Sequence, residues 1–141
     1  MFLRHDRKKE VLVLTVYLGI LVYALFLMRH PYLKPRYALK PFRALIQIIT
    51  WDKRGLRIRK WAYQGIVINI LIFVPLGYLL PLIWKWVDRW WKVIIMGFAV
   101  SLGIELLQLV TKLGMYDIDD LINNTIGSVI GWGCYLRWLK E

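Results

Sequence analysis

The chain has 141 residues, of which 59% are hydrophobic and 15% are aromatic, and its formal net charge is +11. A soluble domain of this length could not bury so much apolar surface, because a large part of a small protein's surface stays in contact with water. The composition therefore excludes an ordinary soluble domain and indicates a single membrane domain, residues 1–141; its basic residues are expected to meet anionic lipid rather than nucleic acid.

Four segments are long and apolar enough to cross a bilayer, whose hydrocarbon core requires about 20 residues of helix. They cover residues 11–28, 62–84, 93–111 and 121–139. Tryptophans cluster near the segment ends, as expected for the aromatic belt at headgroup depth. The sequence thus predicts an all-α, four-helix bundle that is an integral membrane protein. Short connections predict that the last three helices are sequential antiparallel neighbours.

Residues 29–60 form the one long connection between the predicted helices and carry 10 Lys and Arg residues. Within it, residues 41–51 are apolar but too short to span, and Pro41 suits the start of a helix. This pattern predicts an interfacial or re-entrant helix after the first transmembrane helix; a surface helix packed on the bundle is the open alternative. The side chains expected to attract lipid phosphate are Arg54, Arg57, Arg59 and Lys60.

Membrane orientation is not fixed by the charges. An orientation with the N-terminus inside places 9 Lys and Arg residues inside and 11 outside. The positive-inside rule therefore favours an orientation with the N-terminus outside, but only by a trivial margin. A near-balance is also what a chain that inserts in both orientations would show. The sequence leaves open whether the protein forms a homo-oligomer.

Glu105 is the most informative residue, because it lies in an otherwise uncharged predicted span. A carboxylate near the centre of an inserted helix costs roughly 2.5 kcal/mol or more, so such residues commonly mark a site, a proton relay or a structural polar contact. Gln108 follows one helical turn later on the same face. The alternative interpretation is that Glu105 holds the helices together by hydrogen bonding to Asn69 or Gln108.

Polar residues converge on one membrane face, called side A here, which carries the connections 29–60 and 112–120. Asn69 lies early in the second predicted span, Glu105 late in the third, and Asn124 early in the fourth. The sequence therefore predicts a ligand-binding pocket at side A. Its expected residues are Asn69, Glu105, Gln108, Asp117, Asp120 and Asn124.

The aspartates after the third span have two simpler interpretations. Asp119 or Asp120 is expected to cap the fourth helix, since a carboxylate suits the positive end of the helix dipole. Asp117, Asp119 and Asp120 are also weak candidates for a divalent cation, because hard cations prefer clustered oxygen ligands. Three aspartates alone do not make a metal signature, so the prediction is that the protein has no metal or cofactor.

Small residues predict close helix packing. Gly127 and Gly131 are spaced four apart, as in small-residue motifs that let helix backbones approach. Asn69, Phe73 and Gly77 make a comparable stripe on the second span. Pro75 lies in the same span and removes one internal hydrogen bond, which frees a carbonyl for a neighbour or a ligand.

These elements together resemble the VanZ-like family of small bacterial membrane proteins. The resemblance covers about residues 65–133 and rests on order and spacing: Asn69-Ile70-Leu71-Ile72-Phe73-Val74-Pro75-Leu76-Gly77, then Ser101-x-x-x-Glu105-x-x-Gln108, then Asp117-x-x-Asp120-Leu121-x-x-Asn124-x-x-Gly127-x-x-x-Gly131. It implies a multi-pass protein of the bacterial cytoplasmic membrane, associated with low-level resistance to the glycopeptide teicoplanin. Such proteins often carry an arginine shortly before the first aspartate, where this chain has Lys112.

Three functions fit these residues. The favoured one is a binding protein that holds a lipid, a lipid-linked envelope precursor or an amphiphilic glycopeptide at side A. An enzyme that modifies a lipid headgroup, with Glu105 as general base, is less favoured because Ser101 has no neighbouring histidine and Cys134 lies towards the opposite side. A proton-coupled transporter, assembled as an inverted dimer, is the third.

Overall fold

The computed structural model describes residues 7–23, 33–50 and 56–140. This part of the chain is mostly helical, as the sequence predicts. Its helices are α1 (Arg7–Val22), α2 (Arg43–Ile49), α3 (Leu56–Ile83), α4 (Trp90–Thr111) and α5 (Ile118–Trp138). Two short strands, β1 (Arg36–Ala38) and β2 (Met115–Asp117), precede α2 and α5.

Two of the described helices are long and apolar enough to cross a membrane. They are Arg57–Ile83 and Trp90–Thr111, which match the predicted second and third spans. Helix α5 starts three residues before the predicted fourth span, and α1 covers the N-terminal part of the first. Residues 24–28 of the first span, and Trp51 at the end of the predicted interfacial helix, lie outside the described residues.

Helix α3 runs without interruption through Pro75 and Pro81. Pro75 cannot donate to the carbonyl four residues earlier, that of Leu71. The next carbonyl, that of Ile72, accepts a 2.7 Å hydrogen bond from the hydroxyl of Tyr17. A polar contact therefore attaches α1 to α3 beside the proline.

A two-stranded parallel sheet joins the two connections of side A, and the sequence did not predict it. β1 pairs with β2 in the register Arg36 with Met115, Tyr37 with Tyr116 and Ala38 with Asp117. Strands of three residues are too short to show the alternating pattern by which strands are recognised. The ribbon brings the chain before α2 next to the start of α5.

Close packing joins α3 and α5, which both begin at side A and run parallel. A Cβ at Gly127 would overlap the carbonyl oxygen of Ile70, and one at Gly131 would overlap that of Val74. Helix α5 packs extensively against both α3 and α4, whereas α3 and α4 touch over a smaller surface. The parallel pair, rather than sequential antiparallel neighbours, therefore dominates the packing.

The buried apolar core lies mainly away from side A. Helix α3 contributes Phe73, Leu76, Leu79, Leu80 and Ile83. The other members are Leu14 and Leu21 of α1, Val93 and Ile104 of α4, and Val87 before α4. This core leaves the side A ends of α3, α4 and α5 to the polar residues.

Candidate functional site

Glu105 reaches from the inner face of α4 to the strand before α5. Its side chain is buried at 2% exposure, and its Oε2 accepts a 2.8 Å hydrogen bond from the backbone N–H of Asp117. A buried carboxylate needs such donors, because burial without them is costly. The Glu105 carboxylate thus connects α4 to β2. The alternative in the sequence analysis named Asn69 or Gln108 as its partner and did not include this backbone donor.

Asp117 caps α5 and also binds an arginine. Its Oδ1 accepts from the N–H of Asp119 at 3.0 Å, so the predicted capping role of Asp119 or Asp120 belongs to Asp117. Its Oδ2 accepts from Nη2 of Arg43 at 2.7 Å. Burial raises the pKa of Asp117, and this effect outweighs the Asp119 N–H and the Arg43 charge, which lower it.

Asp119 holds the first turn of α2. Its two carboxylate oxygens accept from the backbone N–H groups of Phe42 at 2.5 Å and Ala44 at 2.8 Å. Phe42 has a φ of 59°, a left-handed conformation that is costly for a residue with a Cβ. Since α2 has no buried residue of its own, these bonds and the Arg43 ion pair account for much of its attachment to α5.

Asp120 faces α3, where Nδ2 of Asn69 donates to its Oδ1 at 2.5 Å. The three neighbouring aspartates therefore point to three different partners: Arg43, the backbone of α2, and Asn69. No group of three or more His, Cys, Asp or Glu among the described residues could hold a metal ion. The weak divalent-cation hypothesis for Asp117, Asp119 and Asp120 is not supported by this geometry.

Asn124 forms a polar contact deeper in the bundle. Its Nδ2 donates to Oγ of Ser101 at 2.9 Å, which joins α5 to α4. Its backbone carbonyl accepts from Ser128 at 3.2 Å. The side-chain Oδ1 of Asn124 is buried without a hydrogen-bond partner.

Gln108 is buried at 2% exposure beside the turn that follows α4. A Cβ at Gly114 would lie 2.6 Å from its Oε1, so only glycine fits there without displacing the glutamine. The predicted ligand residues at the side A end of the bundle thus pack against one another or against backbone.

Of the basic residues predicted to meet headgroups, Arg57 and Lys60 are exposed, and Arg59 is half-buried. Arg54 lies outside the described residues. Arg43, which the sequence analysis did not single out, is the arginine that meets the acidic motif, and its side chain is 42% exposed. The one sequence feature that could have pointed to Arg43 is its position at the start of the predicted interfacial helix.

An apolar groove opens beside this polar cluster, between α2, α3 and α5. We call it the side A groove; its volume is about 210 Å³ and it is lined by Phe42, Leu45, Ile66, Ile70, Asp119, Ile122, Asn123 and Ile126. Asp119 and Asn123 are its polar members, and Asp119 is already bonded to α2. None of the six predicted ligand-binding residues lines it. A second cavity of about 330 Å³ lies between α1 and α3.

Comparisons with known proteins place these residues in a family context. Residues 13–140 match the family described as VanZ/LLP1. The protein named Protein VanZ from Enterococcus faecium is 27% identical over 95 residues, which are 64% of this chain and 58% of that protein. The chain thus matches less than two thirds of that relative's length. No solved structure gives a significant match.

Proposed function

Because the chain belongs to the VanZ/LLP1 family, we propose that it is a multi-pass protein of the bacterial cytoplasmic membrane that binds an amphiphile in the side A groove. The amphiphile is a membrane lipid, a lipid-linked envelope precursor or a lipoglycopeptide, and binding contributes to teicoplanin resistance or to envelope homeostasis. The observation that carries this proposal is an apolar groove that ends beside polar groups at side A.

Exposed apolar side chains support the membrane location. Large apolar residues are exposed along the outer faces of four helices; examples are Val13, Val16 and Ile20 on α1, Ile68 and Leu71 on α3, Ile95, Phe98 and Val110 on α4, and Ile126 and Ile130 on α5. Soluble monomers rarely expose apolar patches of this extent. Helix α5 is about 31 Å long at 1.5 Å per residue, and its charged residues lie in its first and last turns. We therefore propose that α1, α3, α4 and α5 all cross the membrane.

The size of the groove indicates which part of the ligand it holds. Pockets that enclose whole drug-sized ligands occupy about 300–1,000 Å³, and the side A groove holds about 210 Å³. Its lining is mostly isoleucine, leucine and phenylalanine. The groove therefore suits one hydrocarbon chain, with the polar head of the amphiphile lying beyond it at the membrane surface.

The buried polar residues have a supporting role in this proposal. The bonds of Asp119 to α2 and of Asn69 to Asp120 connect three of the groove's walls. Glu105 fixes the start of α5 through Asp117. Glu105 does not line the groove, so the proposal gives it a structural role and no contact with the ligand.

The proposal is tested with a lipid that carries a photoreactive group in its chain, crosslinked to the purified protein and mapped by mass spectrometry. We expect label on the peptides of α3 and α5 that contain Ile70 and Ile126. Ile126→Trp fills the groove and should remove most of this label. Ile95→Trp, on the exposed face of α4, is the matched control and should leave the label unchanged.

Label confined to the outer face of α4, or equal labelling in both tryptophan variants, would refute binding in the groove. Resistance is measured separately, as the teicoplanin concentration that inhibits a sensitive host expressing each variant. Loss of protection with Ile126→Trp, but not with Ile95→Trp, is the expected result. If both variants protect the host although Ile126→Trp is no longer labelled, resistance does not depend on binding in the groove.

A further inference from the structure

Among the described residues at side A, the carboxylates are buried or half-buried and the exposed charged side chains are basic. Three carboxylates are buried, those of Glu105, Asp117 and Asp119, at 2%, 6% and 6% exposure. In the described parts of the side A connections, residues 33–50, 56–60 and 112–120, the exposed charged residues are all basic: Lys34, Arg36, Lys40, Arg57, Lys60 and Lys112. Basic side chains of this kind attract anionic headgroups.

Arg43 lies between the buried acids and this basic surface. Its Nη2 donates to Asp117 at 2.7 Å, and Asp117 is nearly closed from solvent at 9% side-chain exposure. A guanidinium has five N–H donors in a planar fork. In the described part of the chain, the Asp117 bond is the one contact that its guanidinium makes, while 42% of the side chain remains exposed. Donors of Arg43 thus stay available on the side away from Asp117.

The backbone places Arg43 next to residues that line the side A groove. Phe42, the residue before α2, and Leu45 in its first turn both line the groove. Asp119, which also lines the groove, accepts the N–H groups of the two residues adjacent to Arg43 in sequence. The backbone of Arg43 is therefore held next to groove-lining residues, while its guanidinium is held by Asp117.

We propose that the amphiphile bound at side A carries a phosphate group, and that Arg43 binds this phosphate while Asp117 holds the guanidinium in place. This inference rests on the proposed function, because it assigns the headgroup of the ligand whose chain occupies the groove. Arginine is suited to the task, since its planar fork donates two parallel hydrogen bonds to a phosphate.

The test compares three probes on the purified full-length protein in a neutral detergent. They are dioctanoyl phosphatidic acid, dioctanoylglycerol, which has the same chains without phosphate, and inorganic phosphate. Wild type should bind the phosphatidic acid about tenfold or more tighter than the glycerol lipid, as expected for charged hydrogen bonds. Arg43→Met should lose most of this preference and keep its affinity for dioctanoylglycerol; the exposed basic residues supply the remainder.

Arg43→Lys keeps the ion pair with Asp117 but not the planar fork, so its preference should lie between those of wild type and Arg43→Met. If Arg43→Met does not fold, the comparison of Arg43→Lys with wild type serves as the test. Arg137→Met removes an exposed arginine at the other end of α5 and should match wild type. A full preference retained in both Arg43 variants would overturn the inference.

The remaining outcomes separate the inference from the proposed function. Equal binding of the two lipids by wild type overturns the phosphate contact and leaves the groove as an amphiphile site. Binding of neither lipid overturns the proposed function itself. If inorganic phosphate binds as tightly as phosphatidic acid, the site recognises free phosphate, and a lipid is not the source of the phosphate.

Discussion

The backbone N–H of Asp117 donates a 2.8 Å hydrogen bond to Oε2 of Glu105, across 12 residues of sequence. The donor lies in the strand that pairs with β1, and the same residue caps α5. One buried carboxylate therefore joins the end of α4, the ribbon and the start of α5. The stability of the side A end should depend on it.

Removing the acceptor at Glu105 should destabilise the protein more than neutralising it. Glu105→Gln keeps an oxygen for the Asp117 N–H, whereas Glu105→Ala leaves that buried donor without an acceptor. An unsatisfied buried donor costs about 1–3 kcal/mol, so the alanine variant should unfold at clearly lower denaturant concentration in detergent than the glutamine variant. Leu106→Ala, at an exposed neighbour, is the control. Equal losses for both Glu105 variants would show that this hydrogen bond is not what the side chain contributes.

Glycines of α5 should differ sharply in their tolerance of alanine. A Cβ at Gly131 would overlap the Val74 carbonyl and lie 2.9 Å from the Tyr78 nitrogen, whereas Gly133 has nothing within 4 Å of its Cβ position. Overpacking of this kind costs about 1–3 kcal/mol. Gly131→Ala should therefore lower the unfolding temperature, and Gly133→Ala should leave it unchanged or raise it slightly. A comparable loss at both positions would mean that backbone approach to α3 is not the cause.

Helices and packing stripes could be predicted from the sequence because they depend on local patterns. Apolar length predicted α3 and α4, and the four-residue spacing of Gly127 and Gly131 predicted a close helix contact. Asn69 and Asp120, two of the polar residues predicted to converge on side A, are brought into contact by the structure. The order of the predicted helices and connections was enough to place both residues at the same end.

The partners of the acidic residues could not be predicted in the same way. Asp119 binds N–H groups of Phe42 and Ala44, which are 77 and 75 residues away. Backbone donors look the same at every residue, so a sequence pattern does not show which of them a carboxylate meets. The pairing of Arg43 with Asp117 depends on the β1–β2 ribbon, whose strands are too short to recognise.

Loss of the Asp119 carboxylate should loosen α2. Asp119→Ala removes the acceptor of two α2 amides, and hydrogen bonds to charged groups contribute about 1.5–3 kcal/mol each. Hydrogen exchange of the peptide that contains Phe42 and Ala44 should accelerate about tenfold or more. Exchange in the middle of α3 should not change. Asp88→Ala, at an exposed aspartate paired with Lys92, is the matched control.

An unchanged exchange rate of α2 in Asp119→Ala would contradict this role. It would mean that the ribbon and the packing of α2 on α3 hold the helix without the carboxylate. Acceleration of the whole protein, α3 included, would instead indicate global destabilisation. The prediction is specific because, within the described residues, the donors to the Asp119 carboxylate are Phe42 and Ala44 at the start of α2.

Asp117 should make stability depend on pH in the direction opposite to an ordinary paired aspartate. Burial raises the pKa of Asp117 above its usual 3.8, so the folded state holds the proton more tightly than the unfolded state. The corresponding stability is fully present below pH 3.8 and is lost as the pH rises through the higher folded pKa. Compared with Asp117→Asn, wild type should therefore lose stability across this window, measured as the unfolding temperature at each pH.

Two variants make the pH measurement specific. Arg43→Met removes a charge that lowers the pKa of Asp117, so the window should extend to higher pH. Asp88 has a pKa lowered by its hydrogen bond to Lys92, and its contribution is lost only as the pH falls below 3.8. Asp88→Asn should thus leave the slope above pH 3.8 unchanged. If Asp117→Asn retained the wild-type slope in that window, the titrating group would be another residue, and burial of Asp117 would not explain the pH dependence.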